Sequence, residues 1–312
     1  MTRILITGAA GMVGSALLTE LAKTSHDVIA CDVIAPDNLS ANARFHPMDV
    51  TTDAPLRVIA RYQPDVIVHL ASVVTPPKDS TRDLAYAVDV GGTRSVVTAA
   101  LAAGTKRLVV TSSGAAYGYH ADNPVPLREC DAIRGNKGFA YAHHKRLVEE
   151  FLSDVRENAP QLEQVVLRVG TVLGRGTDNQ ITDLFHKPRL LAVQGSDSPF
   201  VFVWNCDLAR ILLRAATDGP EGIFNVAGDG ALSVDDLSEI MGKPVLRLPA
   251  WLLRVALCVA RPLGLSQYGP EQVRFLQYRP VLSNAALKRD FGYTPEKSSR
   301  EVFEFWKRSL SP

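Results

Sequence analysis

The sequence predicts an α/β protein built on a doubly wound parallel sheet, and three observations predict it. A short apolar strand runs into Gly8-Ala9-Ala10-Gly11-Met12-Val13-Gly14 and then into a helix-periodic segment ending near Lys23. Apolar runs recur at 27–31, 65–70 and 107–111, between segments of helical period. Buried parallel strands read this way because helices cover both of their faces. The chain of 312 residues, 46% of them hydrophobic, can also bury a large core, as one large domain or two intimate ones.

Charge and composition exclude several classes. A net charge of +1 and a pI near 7.7 create no overall field for nucleic acid or an anionic membrane. Cys31, Cys130, Cys206 and Cys258 show no C-x-x-C spacing and read as reduced, mostly buried filler. The apolar opening Met1–Thr7 is too short for a signal peptide, so the expected compartment is cytoplasmic. Leu248 to Leu265 is the most apolar later stretch, but Arg254 and Arg261 interrupt it, and no integral membrane segment is expected.

Taken in order, the first strand covers residues 3–7. In the turn after it, Gly8 permits the tight bend, Gly11 lets a backbone approach a pyrophosphate, and Gly14 lets helix pack close to strand. The spacing is one residue off the G-x-G-x-x-G fingerprint. The second strand stops at Asp32, whose carboxylate can accept hydrogen bonds from adenosine ribose hydroxyls and would repel a 2′-phosphate, favouring NAD over NADP. A third strand near Arg44–His46 leads to Asp49-Val50, where the carboxylate either meets the adenine amino group or caps the next helix.

A helix is expected from about Asp53 to Tyr62, then a strand 65–70 with Ala71-Ser72 at its carboxyl end. His69, inside that strand, reads as a satisfied core histidine. A helix over 82–103 and a strand over 107–111 follow, and Thr111-Ser112-Ser113 ends at the crevice where ligands of such sheets bind. Tyr141 and Lys145, four apart on a helix, share a face, and a neighbouring ammonium favours a phenolate that can act as general base.

Together these motifs resemble the extended short-chain dehydrogenase/reductase family, also called the NAD-dependent epimerase/dehydratase family. Leu167–Gly170, Phe202–Ala209 and Phe291–Pro295 resemble its later segments, so the likeness spans almost the whole chain. It implies a Rossmann-type NAD-binding domain at 1–170 with a return segment at 201–228, and a smaller C-terminal substrate-binding lobe from 171–200 and 229–312. It implies Ser113, Tyr141 and Lys145 as catalytic residues. Gly8, Ala10, Gly11, Met12, Val13, Gly14, Asp32, Asp49, Val50, Leu70, Ala71, Ser72, Thr111, Tyr141 and Lys145 would line the NAD, with no metal.

Two departures from the family pattern bear on the reaction. Gly114-Ala115 stands where the family's dehydratases carry an Asp-Glu pair, so dehydration is not expected. Phe200 stands where nucleotide-sugar epimerases place an arginine, and 194–206 has no Lys or Arg, although Arg175, Lys187, Arg189 or Arg279 could still hold a diphosphate. The sequence thus favours net dehydrogenase or reductase chemistry on a small, rather apolar secondary alcohol or ketone. The alternatives are a UDP-sugar 4-epimerase and a non-catalytic NAD-sensing protein. The helix at 248–258 reads as buried, as a homodimer contact, or as the wall of an apolar substrate pocket. His120, His143 and His144 read as solvent-facing or, for one of them, cofactor-proximal, and Tyr117 and Tyr119 as cleft residues.

Overall fold

The computed structural model describes residues 1–74, 82–264, 266 and 269–310. In chain order its first strands are β1 (Arg3–Thr7), β2 (Asp27–Asp32), β3 (Ala43–Pro47), β4 (Val66–His69), β5 (Arg107–Ser113) and β6 (Glu163–Val169). Then come β7 (Thr171–Leu173), β8 (Leu190–Val193), β9 (Phe202–Trp204), β10 (Gly222–Val226) and β11 (Val245–Leu248). The helices are α1 (Met12–Leu21), α2 (Ala54–Tyr62), α3 (Arg82–Tyr86), α4 (Thr93–Ala102), α5 (Ala140–Asn158) and α6 (Gln180–His186). They continue with α7 (Asn205–Ala216), α8 (Val234–Met241), α9 (Ala250–Ala260), α10 (Gln272–Gln277), α11 (Ala285–Arg289) and α12 (Ser299–Arg308).

Seven strands form one sheet in the order β3-β2-β1-β4-β5-β6-β10, with every neighbouring pair parallel. Strand order reverses between β1 and β4, the crevice where ligands of such sheets bind. Side chains alternate across the sheet. Ile4 and Ile6 pack on one face with Leu17, Leu18 and Leu21 of α1 and Ile211 and Leu212 of α7. Leu5 packs on the other with Val58, Ile59, Val96, Val97 and Leu152.

The helix expected over 82–103 is not uniform. Between α3 and α4 the chain passes through a π-turn, Ala87–Gly92, that carries Asp89 inward. Outside the central sheet, β7 pairs with β9 and β8 with β11. Phe185, Phe202, Phe303 and Trp306 fill the core beside them, and the Trp306 indole donates to Thr177 O at 2.9 Å. The segment Phe291–Pro295 docks on α7, where Tyr293 donates to the buried Asp207 carboxylate at 2.7 Å.

The cysteine expectation fails for half the set. Cys31 is buried, with its thiol pushed up to about 12 by burial, but Cys206 is half-buried, and Cys130 and Cys258 are exposed. Composition marks a residue as apolar without saying which face of its element it occupies.

His69 is the core histidine expected. Thr93 gives its own hydrogen to Asp89 O at 2.6 Å, so it accepts from His69 Nε2, and His69 Nδ1 accepts from Thr7 at 2.7 Å. Burial, with the nearby Lys145 charge, holds the imidazole neutral down to about 3. Below about pH 6.5 the unfolded chain therefore takes up a proton that the folded chain refuses, and stability falls as pH drops. This group alone should cost about 2 kcal/mol between pH 7 and pH 5. Urea unfolding of wild type and His69→Gln at both pH values should show a shallower fall in the variant.

Candidate active site

The glycine turn is shaped by contacts that exclude side chains. Gly8 has φ +69°, and a Cβ there would lie 2.7 Å from Ala71 N. A Cβ on Gly14 would lie 2.3 Å from Gly8 O, so α1 can approach the turn only without one. Gly11 differs, because a Cβ would meet nothing closer than Gly8 O at 3.4 Å; its outer face is open. Gly11 begins α1 with no side-chain cap and no acid in the first turn, which leaves Met12, Val13 and their amides as an anion cradle. Asp32 Oδ2 accepts the Ala10 amide at 2.9 Å, so the carboxylate at the end of β2 also braces the turn.

Asp49 is exposed and accepts Thr51 N at 2.8 Å and Thr51 Oγ1 at 2.7 Å, closing a local turn; it does not cap α2. The buried Val50 packs under the π-turn, where a Cβ on Gly92 would come within 2.7 Å of it. At the exit of β4, Leu70 and Ala71 amides both donate to Thr7 Oγ1 at 3.2 Å.

Ser113 closes β5, and its Oγ accepts the Ala115 amide at 3.1 Å, which leaves the hydroxyl hydrogen to point elsewhere. On α5, Lys145 is 6% exposed and donates to Thr111 O at 3.0 Å, with its Nζ 5.5 Å from the centre of the Tyr141 ring. The structure thus brings Lys145 and Tyr141 to Thr111 at the carboxyl end of β5, the end that Ser113 closes.

Behind Lys145 lies a feature the sequence reading missed. His144, expected to face solvent or cofactor, is buried and donates from Nδ1 to Asp89 Oδ2 at 3.0 Å. The other oxygen of Asp89 accepts from Ser72 Oγ at 2.8 Å and Val73 N at 2.9 Å. Burial alone would raise the Asp89 pKa, but His144, Lys145 and these donors outweigh it and lower it. A lone acid within the apolar pattern of 85–97 was the available signal.

Tyr117 is fully buried and is not a cleft residue. Its hydroxyl donates to Asn225 Oδ1 at 2.8 Å and accepts from Arg168 at 2.8 Å, and Arg168 also grips Glu149 in a buried pair. Tyr119 does belong beside Tyr141, in a cluster with Phe139, Phe275 and Tyr278. His120 Nε2 bonds Arg134 O at 2.9 Å.

Arg279 reaches the region from the segment after α10. Its guanidinium lies 3.7 Å from the centre of the Phe200 ring and 4.9 Å from that of Phe275. It donates to Ser198 O at 2.5 Å, its Nε is buried without a partner, and no ion pair engages it among the described residues. Desolvation pushes its pKa down to about 9, which still leaves it cationic at neutral pH. The guanidinium of Arg279 thus lies over the ring of Phe200, the position where the sequence offers no cation. Among the described residues no group of His, Cys, Asp and Glu could hold a metal ion.

Residues 4–227 match the model of the NAD dependent epimerase/dehydratase family. The chain belongs to that family. Membership makes it an NAD-dependent enzyme, and the open cradle at Gly11 with Asp32 beside it suits that cofactor.

The relative named Uncharacterized protein Rv0501, of Mycobacterium tuberculosis (strain ATCC 25618 / H37Rv), is 24% identical over 318 residues, covering 99% of this chain and 85% of its own. A UDP-glucose 4-epimerase of Erwinia amylovora is 26% identical over 190 residues, 57% of this chain and 56% of that one. Among solved structures, the UDP-glucose 4-epimerase of Thermotoga maritima with UDP-glucose superposes with a TM-score of 0.76 at 19% identity, covering 99% of this chain and 98% of that one. The Thermus thermophilus UDP-glucose 4-epimerase complex with NAD gives 0.76 at 22%, covering 99% and 98%. At such identities the structural likeness speaks to the fold of this family member.

Replacing Asp32 by Ser should weaken NAD about tenfold or more, as expected for charge-assisted hydrogen bonds, and weaken NADP less. Calorimetric titration of both nucleotides checks this; equal losses would mean that Asp32 acts only by bracing Ala10.

Proposed function

We propose that this enzyme moves hydride between NAD and a carbon bearing a hydroxyl or keto oxygen, with Tyr141 transferring the proton. We further propose that its substrate carries an anionic group of the nucleotide-diphosphate kind. The first part rests on Tyr141 and Lys145 sharing one face of α5, with Lys145 bonded to Thr111 O on β5, the strand that ends at Ser113. When bound, NAD supplies the hydride acceptor or donor. In oxidation the substrate hydroxyl passes its proton to the Tyr141 oxygen as the carbon's hydrogen leaves with its electron pair; in reduction Tyr141 gives the proton back. Ser113 donates its free hydroxyl hydrogen to the reacting oxygen. Lys145 commits one ammonium hydrogen to Thr111 O and has two left, for the nicotinamide ribose and for the Tyr141 oxygen.

The observation that carries the substrate assignment is Arg279, a desolvated cation without a carboxylate partner among the described residues, stacked beside the Tyr119 cluster. A buried unpaired charge is costly, and an anionic substrate group that reached it would offset that cost. Relatives named as UDP-glucose 4-epimerases support this reading. An epimerase uses both half-reactions on one bound sugar. A second reading, net oxidation of an apolar secondary alcohol, is favoured by Phe200 and by the absence of Lys and Arg from 194–206.

Incubation with NAD and UDP-glucose, followed by proton NMR, should show inversion at the sugar without net NADH. Steady NADH from apolar alcohols, with UDP-sugars untouched, would decide for the second reading. Tyr141→Phe should lower kcat about 10²- to 10⁴-fold with NAD affinity retained. Arg279→Met should raise KM for a UDP-sugar roughly ten- to hundredfold, and an unchanged KM would remove Arg279 from the substrate site.

A further inference from the structure

Of the three sequence expectations for helix α9, the structure overturns the buried helix, because most of its residues are exposed. Its inner side, through Leu253 and Leu257, packs on Leu191, Val193, Val273 and Leu276, a separate cluster from the one that holds Tyr141. Its outer side is bare: Trp251 is 65% exposed, Val255 and Val259 55% each, Leu252 38%, and Leu263 just beyond the helix 65%. At 100° per residue, Trp251, Val255 and Val259 form one stripe opposite the buried face, with Leu252 along its edge. Leu265, at the end of the apolar stretch, lies outside the described residues.

The charges that the segment carrying this stripe itself contributes are of one sign. From Lys243 to Ser266 the sequence contains Lys243, Arg247, Arg254 and Arg261 and no Asp or Glu. Arg247 and Arg261 pair with Asp235 and Glu271 from other segments, whereas Arg254 bonds only the neutral Gln277 among the described residues, at 3.1 Å. The overall charge of +1 conceals this run of cations along the chain.

We infer that α9 is a membrane-surface docking element, which lays Trp251, Val255, Val259 and Leu263 into the interface of an anionic bilayer while Arg254, which no carboxylate engages among the described residues, reaches its phosphates. An indole at one end, aliphatic residues along the stripe and the unpaired Arg254 at its margin match the interfacial helix, in which apolar burial and headgroup attraction act together. A second copy of the chain fits less well. The helix is about 16 Å long and about 10 Å across, so its outer face presents on the order of 160 Å², far less than the roughly 800 Å² per partner that a stable dimer buries. Among the described residues no helix is long and apolar enough to cross a membrane, so α9 would lie on the surface.

The test is co-sedimentation of the full chain with sucrose-loaded vesicles of phosphatidylcholine, alone or mixed with phosphatidylglycerol. Binding to the mixed vesicles, weakened by salt and much lower on phosphatidylcholine alone, is the expected result. The double variant Trp251→Ser/Val255→Ser, which should keep NAD affinity because both side chains face outward, should bind at least about tenfold more weakly. Arg254→Gln should bind about fivefold more weakly. The inference is overturned if the wild type stays in the supernatant, if it binds both vesicles equally, or if the double variant sediments like the wild type. A dimer in sedimentation velocity that the double variant dissolves would place a second copy on this face and overturn it too.

Discussion

One carboxylate, that of Asp89, holds the parts of the site in register. It is 2% exposed, and it gathers three donors from two elements: Ser72 and Val73 at the exit of β4, and His144 on α5. A buried carboxylate persists only where donors replace water, and here each donor belongs to a segment whose placement matters. Because His144 adjoins Lys145, fixing its ring fixes the turn of α5 that presents Lys145 to Thr111 and Tyr141 to the crevice. The π-turn around Asp89 widens the helix where that side chain enters.

The same requirement shapes the second buried network. Glu149, further along α5, is gripped by Arg168 of β6, which also donates to Tyr117 at 2.8 Å, and Tyr117 reaches Asn225 of β10. Helix α5 is therefore tied to the sheet on both sides of β5. The proton-transfer geometry proposed for Tyr141 and Lys145 rests on a rigid element and not on a loop.

The side proposed to take the substrate is built differently. Phe200, Phe275, Phe139 and Tyr119 give apolar faces, and Arg279 sits among them with few hydrogen-bond partners. An aromatic floor with one desolvated cation suits an amphiphilic ligand better than a uniformly apolar or uniformly charged one. Helix α10 links this floor to α9, since Phe275 joins the Tyr119 cluster while Val273 and Leu276 pack under Leu253. Under the inference drawn above, the outward stripe of α9 would bring that cleft to a membrane surface.

The local signals in the sequence determined a great deal. The apolar runs and the glycine turn predict β1, α1, β2, β4 and β5, because strand burial and close helix approach restrict residue type position by position. The four-residue spacing of Tyr141 and Lys145 puts them on one face whatever surrounds them. Only the tertiary structure decided the rest. Asp89 meets His144 across 55 residues, Arg279 stacks on Phe200 from a distant segment, and α9, apolar nearly all round, turns most of its surface to solvent. Such pairings depend on which faces the packed layers bring together, and an amino-acid pattern with a period of two or 3.6 residues records the face of an element but not its neighbour.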